Sequence, residues 1–136
     1  MNIVRNMYPT GTPPAAKRIF LLSPANLGGL RARHVMSEAA KFALAQQLRT
    51  SEGATLGDVF SFVSGLYFRG KLAYARRFSC PPDPGDPIVA GGVLVITPNS
   101  GLRAADVFVT LRSLRAFAGE PIDIDNPRYR RPLERS

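Results

Sequence analysis

With 136 residues, 45% hydrophobic and 21% charged, the chain carries one domain's worth of sequence and enough apolar material for a core, which excludes wholesale disorder. Its 18 basic and 10 acidic residues give a formal net charge of +8, and 15 of the bases are arginine, whose planar fork suits phosphates and carboxylates; a composition that uses Arg for any solvated cation gives the same excess. A single cysteine, Cys80, and a single histidine, His34, exclude a disulfide framework, a Cys-based zinc site and a histidine cluster.

Residues 1–17 read as an irregular arm punctuated by Pro9, Gly11, Pro13 and Pro14. No long apolar run follows the cations of this segment, as a targeting signal would require. The runs at 19–22 and 93–96 are far too short to span a bilayer, so the expectation is a cytoplasmic protein with no membrane partner. The first strand is expected at about 18–23, a continuous apolar run of the kind buried on both faces. It ends in the polar turn Ser23-Pro24-Ala25-Asn26-Leu27-Gly28-Gly29. Arg31 to Arg49 reads as one helix, with Met36, Ala40, Ala43 and Gln47 along one side. Thr55 to Asp58 has the form of a capping box, with Asp in place of Glu, opening a second helix. Val59, Phe62, Val63 and Leu66 supply its i, i+3, i+4, i+7 face. Gly65 and Gly70 predict a kink, or two helices meeting near Gly65.

A loop rich in proline (Pro81, Pro82, Pro84, Pro87) leads to the second strand, at about 92–97. It too ends in a polar turn, Pro98-Asn99-Ser100-Gly101. A helix is expected next, with Val107, Leu111 and Leu114 on one face, stopped by Gly119 and Pro121. The alternation Ile122-Asp123-Ile124-Asp125 predicts a third, edge strand at about 121–125. The tail, 126–136, holds Arg128, Arg130, Arg131 and Arg135 and reads as an exposed basic arm. The order of elements predicts a single α/β domain over 18–125, a small, mostly parallel sheet packed by helices.

In open parallel sheets ligands bind beyond the carboxyl ends of the strands. If the two strands are neighbours, their turns flank one crevice, bounded by Ser23, Asn26, Thr97 and Asn99. Asn26 and Asn99 carry donor and acceptor groups that can read a base or sugar edge. Gly28 and Gly29, at the start of the helix, could cradle an anion, with Arg31 and Arg69 adding charge. The same residues also serve as ordinary turn formers. Neither a P-loop, a dinucleotide fingerprint nor a nucleophile elbow occurs. His34 reads as a surface residue and Cys80 as an inert or exposed thiol. Residues 64–77 interleave Tyr67, Phe68 and Tyr74 with Arg69, Lys71, Arg76 and Arg77, a pattern that suits base stacking and phosphate binding as well as an amphipathic helix with a solvated face. Asp123 and Asp125 would share one face of the third strand, a weak signal for acid–base chemistry or a metal. No catalytic residue, metal site or cofactor is assigned.

The strings Gly65-Leu-Tyr-Phe-Arg-Gly-Lys-Leu-Ala-Tyr-Ala75 and Val93-Leu-Val-Ile-Thr-Pro-Asn-Ser-Gly-Leu102 resemble those of a group of small uncharacterised bacterial α/β proteins. Over roughly residues 18–125 the chain is also distantly similar to the α/β domain that accompanies tRNA-guanine transglycosylase and archaeosine-synthesis enzymes. Many such domains carry Cys-Ser or Cys-Gly and a Lys after the first strand, where this chain has Ser23-Pro24-Ala25-Asn26. The resemblance implies a nucleobase- or nucleotide-related pocket. The expected function is therefore binding, or binding with enzymatic conversion, of a small anionic or nucleotide-like ligand at the strand ends. The alternative is a non-enzymatic module that binds nucleic acid or an acidic partner through Arg-rich surfaces, and a second copy of the chain is a further candidate partner.

Overall fold

The computed structural model describes residues 17–83, 85–86 and 91–136. Its first half runs β1 (Phe20–Leu22), α1 (Leu30–Met36), α2 (Ala43–Leu48), β2 (Ala54–Thr55), α3 (Leu56–Ser64) and α4 (Leu66–Phe78). Its second half runs β3 (Val93–Thr97), β4 (Gly101–Ala104), β5 (Phe108–Val109), α5 (Leu111–Ala118) and α6 (Pro127–Arg135). The arm expected at 1–17 lies, apart from Lys17, outside the described residues.

The two apolar runs do pair. β1 lies parallel to β3 in the register Phe20 opposite Val93 and Leu22 opposite Val95. Leu22, Val93 and Val95 enter the main core with Phe60, Leu56, Val59, Leu48 and Leu114. The sheet is mixed, however, because the third strand is not the expected one. Gly101, at φ +66°, turns the chain straight back after Pro98-Asn99-Ser100, so that β4 runs antiparallel to β3 with Gly101 opposite Thr97. The stretch 101–104, read from sequence as the approach to a helix, is thereby strand, and the helix starts only at Leu111. Its Thr110 cap accepts the Ser113 N–H.

The edge strand expected at 121–125 is a turn. The Asp123 carboxylate accepts the Asp125 N–H at 2.9 Å, the Asp123 carbonyl accepts the Asn126 N–H, and Ile122 and Ile124 stay exposed. Alternation wrote a strand pattern, but the local side-chain bond competes with the ladder. The single helix expected over 31–49 is also two. Ser37 takes an extended conformation, its hydroxyl accepts the Ala39 N–H, and Arg49 donates to its carbonyl at 2.7 Å. Phe42 then stacks on Phe62, 5.1 Å between centroids, before α2 begins. Two helices meet at Gly65, which takes φ +65°, and Thr55 caps α3 by accepting the Asp58 N–H.

A second, two-stranded sheet pairs β2 with β5 antiparallel, Ala54 opposite Val109 and Thr55 opposite Phe108. The first turn of α3 donates its free N–H groups to the loop beside it, Leu56 to Val107 and Gly57 to Ala105, each at 2.8 Å. These bonds fix the position of 105–109, which proves to be one wall of the candidate site. Pro127–Arg135 of the tail form α6, capped by Asn126 with Pro127 in its first turn. No residue of α6 is buried, yet the helix lies against β4, where the Leu102 N–H donates to the Ser136 hydroxyl.

Candidate functional site

Parallel pairing of β1 and β3 brings the turns that follow them to the same end of the sheet. The turn after β3 is held from within. Thr97 is fully buried; its hydroxyl accepts the Ser100 N–H at 2.9 Å and donates to the Gly101 carbonyl at 2.8 Å. Asn99 accepts the Ser100 hydroxyl at its Oδ1, which leaves its amide nitrogen without a hydrogen bond among the described residues. The result is a closed three-residue loop that offers an amide and a hydroxyl at the sheet end.

The turn after β1 is used locally. Asn26 Oδ1 accepts the Gly28 N–H at 3.0 Å, a turn that mimics backbone hydrogen bonding. Gly29 caps α1, a helix of only seven residues. Arg31 points away, its Nε donating to the Phe62 carbonyl at 2.6 Å and its guanidinium 4.8 Å above the Phe62 ring. Arg69 is exposed on α4, away from either turn's clefts.

The described clefts divide the expected residues. Asn26 and Gly28 line one cleft of about 310 Å³ together with Pro98 and Glu120, a carboxylate that disfavours anions there. Ser23 lines another, of about 260 Å³, against α4. Asn99 belongs to neither. With Ser100 and Arg103 it lines two adjoining clefts that form one bipartite groove. One half, about 300 Å³, is walled by Leu56, Val107, Phe108 and Phe117, with the Ser113 hydroxyl among them. The other, about 400 Å³, is walled by Leu102, Pro132, Arg135 and Ser136. No side chain lining the groove is acidic, and neither Arg103 nor Arg135 has an ion-pair or hydrogen-bond partner for its side chain among the described residues.

Arg103, Phe108, Ser113 and Arg135 are thus brought to Asn99 by the hairpin at Gly101 and by the docking of α6. The signal that could have found them is Gly101 itself, four residues beyond a strand end, a position suited to a tight reversal. The groove's described lining holds no histidine, cysteine or carboxylate side chain. His34 instead sits edge-on to Phe42, and Cys80 bridges to Arg18 through the backbone. Among the described residues no cluster of His, Cys, Asp and Glu could hold a metal ion, and no helix is long and apolar enough to cross a membrane. Compared with family models, curated proteins and solved structures, the chain matches none.

Proposed function

We propose that the chain binds a small anionic ligand with a flat, apolar part, a nucleotide-like molecule, in the groove beside Asn99. The observation that carries this reading is the groove's division. A basic half with Arg103 and Arg135 adjoins an apolar half with Phe108 and Phe117, and the carboxamide of Asn99 stands at the junction. Guanidinium forks suit phosphate oxygens. A ring can lie against Phe108, which is half exposed. The free amide N–H of Asn99 can donate to a sugar or base acceptor. Each half falls in the usual size range for small-molecule sites. The described lining supplies no general base or nucleophile pair, which favours binding over conversion.

A thermal-shift series tests it. Nucleoside monophosphates should raise the melting temperature more than the matching nucleosides or inorganic phosphate, because only they fill both halves; saturation at a hundred times Kd corresponds to about 2.7 kcal/mol. Arg103→Ala should abolish the shift without lowering the melting temperature of the free protein. Equal responses to nucleotide and phosphate, or an undiminished response in Arg103→Ala, would refute it.

A further inference from the structure

The most aromatic and basic helix of the fold plays no part in that groove. Only one side of α4, carrying Phe68, Leu72 and Ala75, is buried. On the outer side Tyr67, Lys71, Tyr74 and Phe78 recur at i, i+4, i+7 and i+11, which places them in a stripe along the helix. Tyr67 is 75% exposed and Tyr74 59%. Their surroundings orient them. Lys71 Nζ sits 4.4 Å from the centre of the Tyr67 ring, and Phe20 meets the Tyr74 ring edge-on at 5.9 Å. Phe78 lies 4.6 Å from Tyr74, with the Arg77 guanidinium 5.8 Å from its own ring centre. Where the stripe begins, the cleft of about 260 Å³ between α4 and the turn after β1 is lined by Tyr67, Lys71 and the hydroxyl residues Ser23 and Ser64.

The charge beside the stripe is predominantly positive. No acidic residue occurs from 59 to 82 or from 17 to 23, and these two segments, which pack together through α4 and β1, contain six cations. Among the described residues only one of the six, Arg76, forms an ion pair, with Asp106 at 2.9 Å. An ordinary solvated helix face mixes both signs and few rings. This one presents flat rings beside uncompensated cations, the combination that holds the bases and phosphates of an unpaired strand.

We propose that the outer face of α4, with the cleft at Ser23, binds single-stranded nucleic acid, bases stacking on Tyr67 and Tyr74 and phosphates meeting Lys71 and Arg77. A duplex keeps its bases stacked on one another and offers these rings nothing. An acidic peptide would satisfy the cations and leave the rings unused. The inference does not rest on the nucleotide-like reading of the Asn99 groove, since the two surfaces have no lining residue in common.

Fluorescence anisotropy with a labelled oligothymidylate, at low and at physiological salt, tests it on the full chain. Binding should weaken steeply with salt, and the same oligonucleotide annealed to its complement should bind less well. Tyr67→Ala and Tyr74→Ala should each weaken binding at least about fivefold, while Tyr67→Phe and Tyr74→Phe, which keep the ring, retain it. Lys71→Ala should flatten the salt dependence, and Arg103→Ala should have no effect. Unchanged melting temperatures would show that the exposed substitutions act on the surface alone. Wild-type affinity in both Tyr→Ala variants, or complete competition by polyglutamate at equal charge, overturns the proposal in favour of an acidic partner. Preferential capture by anionic phospholipid vesicles overturns it in favour of a membrane surface. Loss of oligonucleotide binding in Arg103→Ala but not in the tyrosine variants would move the interface to the Asn99 groove.

Discussion

Thr97 shows how a buried hydroxyl can set the geometry of an exposed site. Its two hydrogen bonds close the turn that presents Asn99 and Ser100. Thr97→Val keeps the shape of the side chain but leaves the Ser100 N–H and the Gly101 carbonyl without that partner, which costs about 1–3 kcal/mol. Thr97→Ser keeps both bonds. Urea denaturation should therefore rank wild type close to Thr97→Ser and well above Thr97→Val; equal midpoints for Thr97→Val and wild type would show that the hydroxyl does not hold the turn. Both Thr97 and Asn99 were legible in the sequence because they lie at the end of an unmistakable apolar strand. Arg103 was not, because nothing in Leu102-Arg103-Ala104 distinguishes a returning strand from the start of a helix until the fold of Gly101 is known. Asn26 was equally visible, but its Oδ1 is taken by the Gly28 N–H and it lines a different cleft, beside Glu120, an outcome that its residue type permits and its spacing does not reveal.

Among the elements, α6 docks closely against a single position elsewhere, Gly101. Gly101 has a left-handed φ, and a Cβ there would overlap the Ser136 hydroxyl and the Pro132 carbonyl. Gly101→Ala should therefore carry two costs. The backbone cost is about 1–2 kcal/mol, and displacement of α6 brings the sum to about 3 kcal/mol or more. In a chain lacking 127–136 only the first should remain. Chemical denaturation of the four proteins of this double-mutant cycle measures the coupling; an identical cost in both backgrounds would contradict the docking of α6 on β4. The sequence was informative about elements wherever burial wrote the pattern. The strands expected at 18–23 and 92–97 appear as β1 and β3, and the break at Gly65 appears between α3 and α4. It was uninformative where a polar side chain decides the path, as at Ser37, which splits a continuous helical pattern, and at Asp123, which turns an alternating one. The basic tail read as an arm because its cations dominate its composition, while Asn126 and Pro127 supply the helix start that Tyr129, Pro132 and Leu133 extend half-buried.

Taken as a whole, the molecule places polar and basic groups at two separate surfaces around one core. β3 runs through the middle of the three-stranded sheet, between β1 and β4. Its C-terminal end carries the Asn99 groove. The tyrosine stripe of α4 lies on a helix that packs against β1 and β3. Part of the positive charge thus lies in a groove with an apolar half, Arg103 and Arg135, and part on a helix face with exposed rings, Arg69, Lys71, Arg76 and Arg77. A titration of isotope-labelled protein with a nucleoside monophosphate, followed by amide NMR shifts, separates these surfaces in one measurement. The largest shifts should fall on Asn99, Ser100, Arg103, Phe108 and Ser113, with smaller ones on Arg135 and Ser136, and little change at Gly28, Gly29 and Arg31. Shifts confined to the Gly28–Arg31 turn or to α4, or no saturable shifts at all, would contradict the assignment of the Asn99 groove as the site of a nucleotide-like ligand.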